Sequence, residues 1–317
     1  MGKTAFLFPG QASQHVGMGR ELAERYEAAA EVFRIADKVL GFPISELCFE
    51  GKDEELCLTP NLQPAVLAVS VAVLRVVTER TGLVPDFAAG HSLGEYTAYV
   101  STGALDLADA VSAVRNRGLF MQEAVPAGQG GMAAVIGLDA EDVLAICSEI
   151  GSPEQIIAAN FNGASQVVIS GLIDALDRAT VLARDRGARR VARLNVSAPF
   201  HSPMMEPART KLAALLSRIP FRDPRFPVVS NVDARPNTSA ERIPQFLADQ
   251  VTSPVLWEDT VNNLVEFGVD LFIEIGPGKV LTNLARRTVK GIATANVEDV
   301  DSLERLVHLL EERVDGE

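Results

Sequence analysis

The stretch Asp86-Phe87-Ala88-Ala89-Gly90-His91-Ser92-Leu93-Gly94-Glu95-Tyr96 decides how the chain folds. Asp86 to Ala89 reads as a short buried strand, the residues after Gly94 read as a helix, and between them Gly90 to Gly94 fits Gly-x-Ser-x-Gly. That context suits a nucleophile elbow: flanking glycines permit a tight, strained turn, which pushes the Ser92 hydroxyl out at the strand end beside a helix amino terminus. Without that chemistry the same residues make a glycine-rich turn with a helix-capping Ser.

Upstream, Thr4 to Phe8 reads as a strand running into the turn-forming Pro9-Gly10, with helical patterns following to about Leu40. Pro64 to Glu79 reads as a further helix. Its apolar run, Pro64 to Leu74, stops at Arg75 and falls short of the roughly 20 residues a membrane helix needs, so a buried helix is expected. Strands alternating with helices in this way predict an α/β fold with a mainly parallel sheet.

Downstream the rhythm changes. Gly131 to Leu138 reads as a strand, Asp139 to Ile150 as a helix opened by an Asp cap, and Ile156 to Asn160 with Gln166 to Ser170 as strands joined at Asn162-Gly163. Leu172 to Arg186 reads as a helix and Arg190 to Val196 as a closing strand. This β-α-β-β-α-β order is that of a ferredoxin-like unit. The expected division is a subdomain over residues 128–197, inserted in a discontinuous core of residues 1–127 and 198–317. The core sheet is expected to resume at Phe226 to Ser230 and Leu271 to Ile275.

Composition narrows the function. With 29 Lys+Arg against 42 Asp+Glu the formal charge is −13, which argues against a nucleic-acid partner. Hydrophobic residues at 47% and charged residues at 22% are ordinary for a globular protein. Cys48, Cys57 and Cys147 form no Cys-x-x-Cys pair, and reduced thiols in a cytoplasmic protein are expected. No metal site, signal peptide or membrane anchor is expected. Gly276-Pro277-Gly278-Lys279-Val280 lacks the spacing and final hydroxyl of a phosphate-binding loop and reads as a strand-to-helix turn.

A neutral Ser needs a base, and His is the usual one. His91 adjoins Ser92 but points elsewhere on a sharp turn, and His308 lies on a charged terminal helix over Asp301 to Val314. His15 in a loop remains open beside His201, which sits in the turn-like Ser197-Ala198-Pro199-Phe200-His201-Ser202 after a strand. No acidic residue stands out as an orienter of the imidazole, and a backbone carbonyl can take that role. Ser before His with a subdomain between them departs from the esterase order of Ser, acid, His. On the helix after the elbow, Arg115 and Arg117 are two apart, so at most one readily enters a pocket. Such an arginine is either a surface residue or a bidentate clamp for a carboxylate.

Phe8-Pro9-Gly10-Gln11-Ala12-Ser13-Gln14, Gly90-His91-Ser92-Leu93-Gly94-Glu95-Tyr96, Arg117-Gly118 with Phe120-Met121-Gln122, Asn160-Phe161-Asn162, Pro199-Phe200-His201-Ser202 and Glu274-Ile275-Gly276-Pro277-Gly278 together resemble malonyl-CoA:acyl carrier protein transacylases. The resemblance spans almost the whole chain. It implies an α/β-hydrolase-like core with parallel sheet plus an inserted ferredoxin-like subdomain. It also implies ping-pong transfer of malonyl from malonyl-CoA to the phosphopantetheine thiol of acyl carrier protein, for fatty-acid or polyketide synthesis. By the same resemblance Ser92 is the nucleophile, His201 its base, and the N–H groups of Gln11 and Leu93 the oxyanion hole. Arg117 would bind the malonyl carboxylate, Gln63 would line the pocket and the Gln250 carbonyl would orient His201. Phe200 accompanies malonyl selection in related acyltransferases. Ala12 departs from the Gly that the family often has there, and would be strained if that position needs a positive φ.

No cofactor is expected, and a monomer is. Acyl carrier proteins are themselves acidic, so a local basic patch must guide docking despite the charge of −13. Arg189 and Arg190 with Arg193, and Arg286 and Arg287 with Lys279 and Lys290, are the candidate clusters. The alternatives are a serine hydrolase or thioesterase acting on acyl-CoA, and a non-catalytic module that docks the carrier.

Overall fold

A computed structural model describes residues 2–126, 128–196 and 198–315. Ala127 and Ser197, on which the expected division falls, lie outside the described residues. The strands run β1 (Lys3–Phe8), β2 (Phe87–Gly90), β3 (Gly130–Ile136), β4 (Ile156–Phe161), β5 (Gln166–Leu172), β6 (Arg190–Arg193), β7 (Val228–Val229), β8 (Pro236–Asn237), β9 (Val255–Leu256), β10 (Val269–Ile275) and β11 (Ala293–Val297).

Six of them form one sheet in the order β11-β10-β1-β2-β7-β8, parallel throughout except for the β7–β8 edge pair. The central strands are buried on both faces, which is why β1 reads as an unbroken apolar run. Alternation splits it between two cores: Phe6 and Phe8 pack on one side, Ala5 and Leu7 on the other. The helix Thr59–Thr81 lies in the first of these cores and is apolar all round. By length and composition it could cross a membrane, yet most of it is buried inside the protein. It starts five residues before the expected Pro64, because Pro60 sits in its first turn, where the missing N–H costs no hydrogen bond.

The second sheet runs β6-β3-β5-β4-β9 and is antiparallel except for β4–β9. One face, with Ala133, Val135, Val167 and Ile169, packs on the helices Ala140–Ile150 and Ile173–Asp185. Asp139 caps the first of these, accepting the Asp142 N–H at 2.9 Å, as the sequence predicts. The other face carries Met132, Ala134 and Val168 toward the main core. β9 lies beyond residue 197, so this sheet borrows a strand from the later part of the chain.

Other differences have local causes. The strand expected over Phe226 to Ser230 is only Val228–Val229, since Pro227 donates no N–H and Ser230 already turns back onto Arg235. The strand expected to Val196 ends at Arg193. The Gly276-Pro277-Gly278 turn does join a strand, β10, to a helix, Val280–Thr288.

Candidate active site

The elbow is forced by contact distances. A Cβ added at Gly90 would meet the Gly94 carbonyl carbon at 1.9 Å, and one at Gly94 would meet the Phe8 carbonyl oxygen at 2.0 Å. Between them Ser92 adopts φ 52°, a left-handed conformation that costs a non-glycine residue on the order of 1–3 kcal/mol. His201 shares the strain, at φ 58°.

The two residues meet: Ser92 Oγ lies 2.7 Å from His201 Nε2, and His201 Nδ1 lies 2.8 Å from the Gln250 carbonyl. A carbonyl only accepts, so Nδ1 carries the proton and Nε2 is left free to take one from Ser92. Burial, with the Arg117 charge second, pushes the His201 pKa down to about 3, so the imidazole is neutral at ordinary pH. The other histidines lie elsewhere. His15 lines a separate small cavity with Glu298 and Asp299, His308 is exposed beside Glu311 and Glu312, and His91 is bonded to Asn162 Oδ1 at 2.8 Å and packed on Trp257.

The helix Leu107–Glu123 separates the two arginines. Arg115 is half-buried against Phe42 and donates to Asn61, whereas Arg117 is 1% exposed beneath Ser92. Arg117 Nη1 donates to Gln63 Oε1 at 2.9 Å, and Nη2 donates to Gln250 Oε1 at 2.9 Å and to Ser92 Oγ at 3.0 Å. Among the described residues no carboxylate touches this guanidinium, and its Nε has no partner. Burial lowers its pKa.

Above Ser92 opens a cavity of about 250 Å³. Gln11, His201 and Phe200 line it on the elbow side, and Met132, Val168 and Asn160 come from the second sheet. Leu93 is buried at the start of the helix Gly94–Ser101. The main-chain N–H groups of Gln11 and Leu93 have no hydrogen-bond partner among the described residues, as donors reserved for an oxyanion would. Ala12 has φ 74°, so the strain foreseen for a methyl group here is present. Arg189, Arg190, Arg286 and Arg287 are all exposed. Arg189 precedes and Arg190 opens β6, whose continuation Leu194 to Val196 lines the cavity; Arg286 and Arg287 lie in the last turn of the helix whose Leu281 and Leu284 line it.

Two members of the network escaped the sequence reading. Asn231 Oδ1 accepts the Ser92 N–H at 2.6 Å while its Nδ2 donates to the Gly90 carbonyl at 2.7 Å. Glu95 Oε2 accepts from Gln250 Nε2 at 2.7 Å and from the Asn231 N–H at 3.2 Å. Gln250 Nε2 also donates to the Ser92 carbonyl at 3.0 Å. Glu95 carried a signal, being the one charged residue in an otherwise apolar and polar-neutral helix. Asn231 carried none. Among the described residues no group of His, Cys, Asp and Glu is placed to hold a metal ion.

A family model described as acyl transferase domain matches residues 5–310. The malonyl CoA-acyl carrier protein transacylase of Bacillus subtilis is 46% identical over 317 residues, covering all of both chains. That of Escherichia coli K12 is 42% identical over 98% of this chain and all of its own. Among solved structures, the acyl-carrier-protein-S-malonyltransferase of Bartonella henselae superposes with a TM-score of 0.94 at 43% identity, over 98% of this chain and all of that one. A malonyl-transacylase in complex with its type II PKS acyl-carrier protein gives 0.93 at 44% identity, over 95% of this chain and 98% of that one.

Proposed function

The chain belongs to the acyl transferase domain family, and from that premise we propose that it moves malonyl from malonyl-CoA to the phosphopantetheine thiol of acyl carrier protein through an ester on Ser92. The supporting observation is the continuous chain Gln250 carbonyl, His201, Ser92 Oγ, with Arg117 on the same oxygen. His201 Nε2 takes the Ser92 proton as Oγ attacks the thioester carbonyl. The N–H groups of Gln11 and Leu93 stabilise the oxyanion, which collapses as the C–S bond breaks and the CoA sulfur takes the proton from His201. In the second half the carrier thiol gives its proton to His201 and attacks the ester, and Ser92 Oγ leaves with that proton.

Arg117 gives the reaction its selectivity. A malonyl carboxylate can take the guanidinium edge that now donates to Ser92, a charge-assisted contact that acetyl lacks. The carboxylate also offsets the positive charge that depresses His201, so the base gains proton affinity when the correct acyl group is bound. Phe200 lines the cavity, where its ring would crowd a substituent on the malonyl α-carbon. The carrier docks on Arg189, Arg190, Arg286 and Arg287, which are exposed on or beside elements that contribute to the cavity. The protein works as a cytoplasmic monomer, with residues 128–197 as a subdomain inserted in a core of residues 1–127 and 198–317.

Incubation with malonyl-CoA alone is expected to leave a malonyl ester on the peptide containing Ser92, read by mass spectrometry and discharged by holo-carrier. No adduct, or an adduct on another peptide, rejects this function.

A further inference from the structure

Among the described residues, Arg117 is a buried cation with no carboxylate in contact, and Glu95 is a fully buried carboxylate with no cation in contact. One carboxamide lies between them. Gln250 turns its Oε1 to the guanidinium at 2.9 Å and its Nε2 to Glu95 Oε2 at 2.7 Å, the orientation that an amide dipole takes between a positive and a negative group. The main chain of the same glutamine accepts from His201 Nδ1, and its Nε2 reaches the Ser92 carbonyl. Through Asn231, Glu95 also braces the Ser92 N–H. Glu95 Oε1 has no partner among the described residues, so hydrogen bonding within the protein satisfies only half of this carboxylate.

We infer that Glu95 is a positioning residue for acyl transfer: acting through Gln250 it fixes His201 and Arg117, and as the buried counter-charge of Arg117 it opposes binding of the acyl carboxylate. This rests on the malonyl-transfer reading. The two roles separate in kinetics. Positioning acts on kcat for any acyl donor, whereas the counter-charge acts on KM only for a donor that carries a carboxylate. The charged or titratable groups facing Glu95 are Arg117 on the helix Leu107–Glu123 and Asp233 after β7, with Tyr96 and Tyr99 on its own helix. Burial raises the Glu95 pKa to about 7, so its charge varies across neutral pH.

The test compares the purified wild-type protein with E95Q and E95D, using malonyl-CoA and acetyl-CoA as donors and holo-carrier as acceptor between pH 6 and 8.5. E95Q is expected to lower kcat about tenfold for both donors and to lower KM about threefold for malonyl-CoA alone. E95D, which keeps the charge and shortens its reach, is expected to lower kcat for both donors and leave the malonyl-CoA KM within twofold. In the wild type the malonyl-CoA KM should rise as pH passes through 7 and Glu95 ionises. Acetyl-CoA shares the CoA phosphates and should show no such rise. Equal KM shifts for both donors, an unchanged kcat, or a wild-type malonyl-CoA KM that is flat with pH relative to acetyl-CoA overturns the inference. The pH comparison needs no variant and decides the matter even if E95Q does not fold. A wild-type protein that never forms the Ser92 ester overturns the malonyl-transfer reading instead.

Discussion

The layer beneath Ser92 and the wall that faces it across the cavity are built on different principles. Beneath Ser92 lies a closed polar layer: Arg117, Gln63, Gln250, Asn231 and Glu95, all buried and none of them lining the cavity, are joined by hydrogen bonds of 2.7–3.2 Å, and Asn231 accepts the Ser92 N–H at 2.6 Å. Across the cavity, Met132, Ala134, Val168, Leu194 and Val196 present apolar volume, and Asn162, bonded to His91, ties the two sides together. Reacting atoms have to be held before the substrate arrives, which buried polar groups bonded to one another do. A wall that receives a long flexible arm needs shape, which packing supplies. Substitutions should therefore cost reaction rate in the polar layer and donor or carrier affinity outside it.

The largest effect tests the closed layer at the reacting atom it holds. Ser92→Ala is expected to cut malonyl transfer at least about 10⁴-fold in a coupled assay while shifting Tm by no more than a few degrees. Arg117→Ala should cut malonyl transfer by about 10²-fold, as the loss of a charge-assisted bidentate contact of roughly 2–3 kcal/mol implies, and acetyl transfer far less. Equal losses for both donors would show that the guanidinium only braces the layer. A thermodynamic effect comes next. His201 stays neutral in the fold down to about pH 3, whereas the unfolded chain binds that proton near its ordinary pKa, so this group contributes a loss of stability as pH falls below the unfolded value. The stability advantage of the wild type over His201→Gln should shrink by about 2 kcal/mol between pH 7 and pH 5 in urea titrations. Taking the difference between the two proteins matters, because Glu95, with its raised pKa, shifts stability the opposite way over the same range. The smallest effect lies at the exposed arginines: charge reversal at Arg189, Arg190, Arg286 and Arg287 should raise KM for the carrier several-fold and leave Ser92 loading by malonyl-CoA unchanged. Equal KM values before and after reversal would move the docking surface elsewhere.

How far the sequence revealed this site follows the same division. The elbow was legible because close backbone approach restricts Gly90 and Gly94 to one residue type, and such steric demands leave a local pattern. His201 narrowed to one of two candidates from its turn-like setting, and the resemblance, not spacing, singled out Arg117 and the Gln250 carbonyl. Asn231 was invisible, since an Asn after a two-residue strand looks like any turn residue until the fold brings it to Ser92. In the frame of the fold, the long strands and amphipathic helices declared themselves by period. β8 and β9, two residues each, have no period to read, and β11 is weakly apolar, so these three sheet edges emerged only in three dimensions, whereas the fourth edge, β6, was legible in the sequence.

The hydrogen bond from Gln250 to the Ser92 carbonyl spans 158 positions of sequence, and that from Ser92 to His201 spans 109. A ribosome adding about 5–20 residues per second makes the serine roughly 8–30 s before the glutamine. Until His201 is made the hydroxyl has no base, and until Gln250 follows, 49 residues later, that base has no carbonyl to hold its tautomer. Until the glutamine has been made, Ser92 is chemically an ordinary alcohol, unable to capture or waste a thioester.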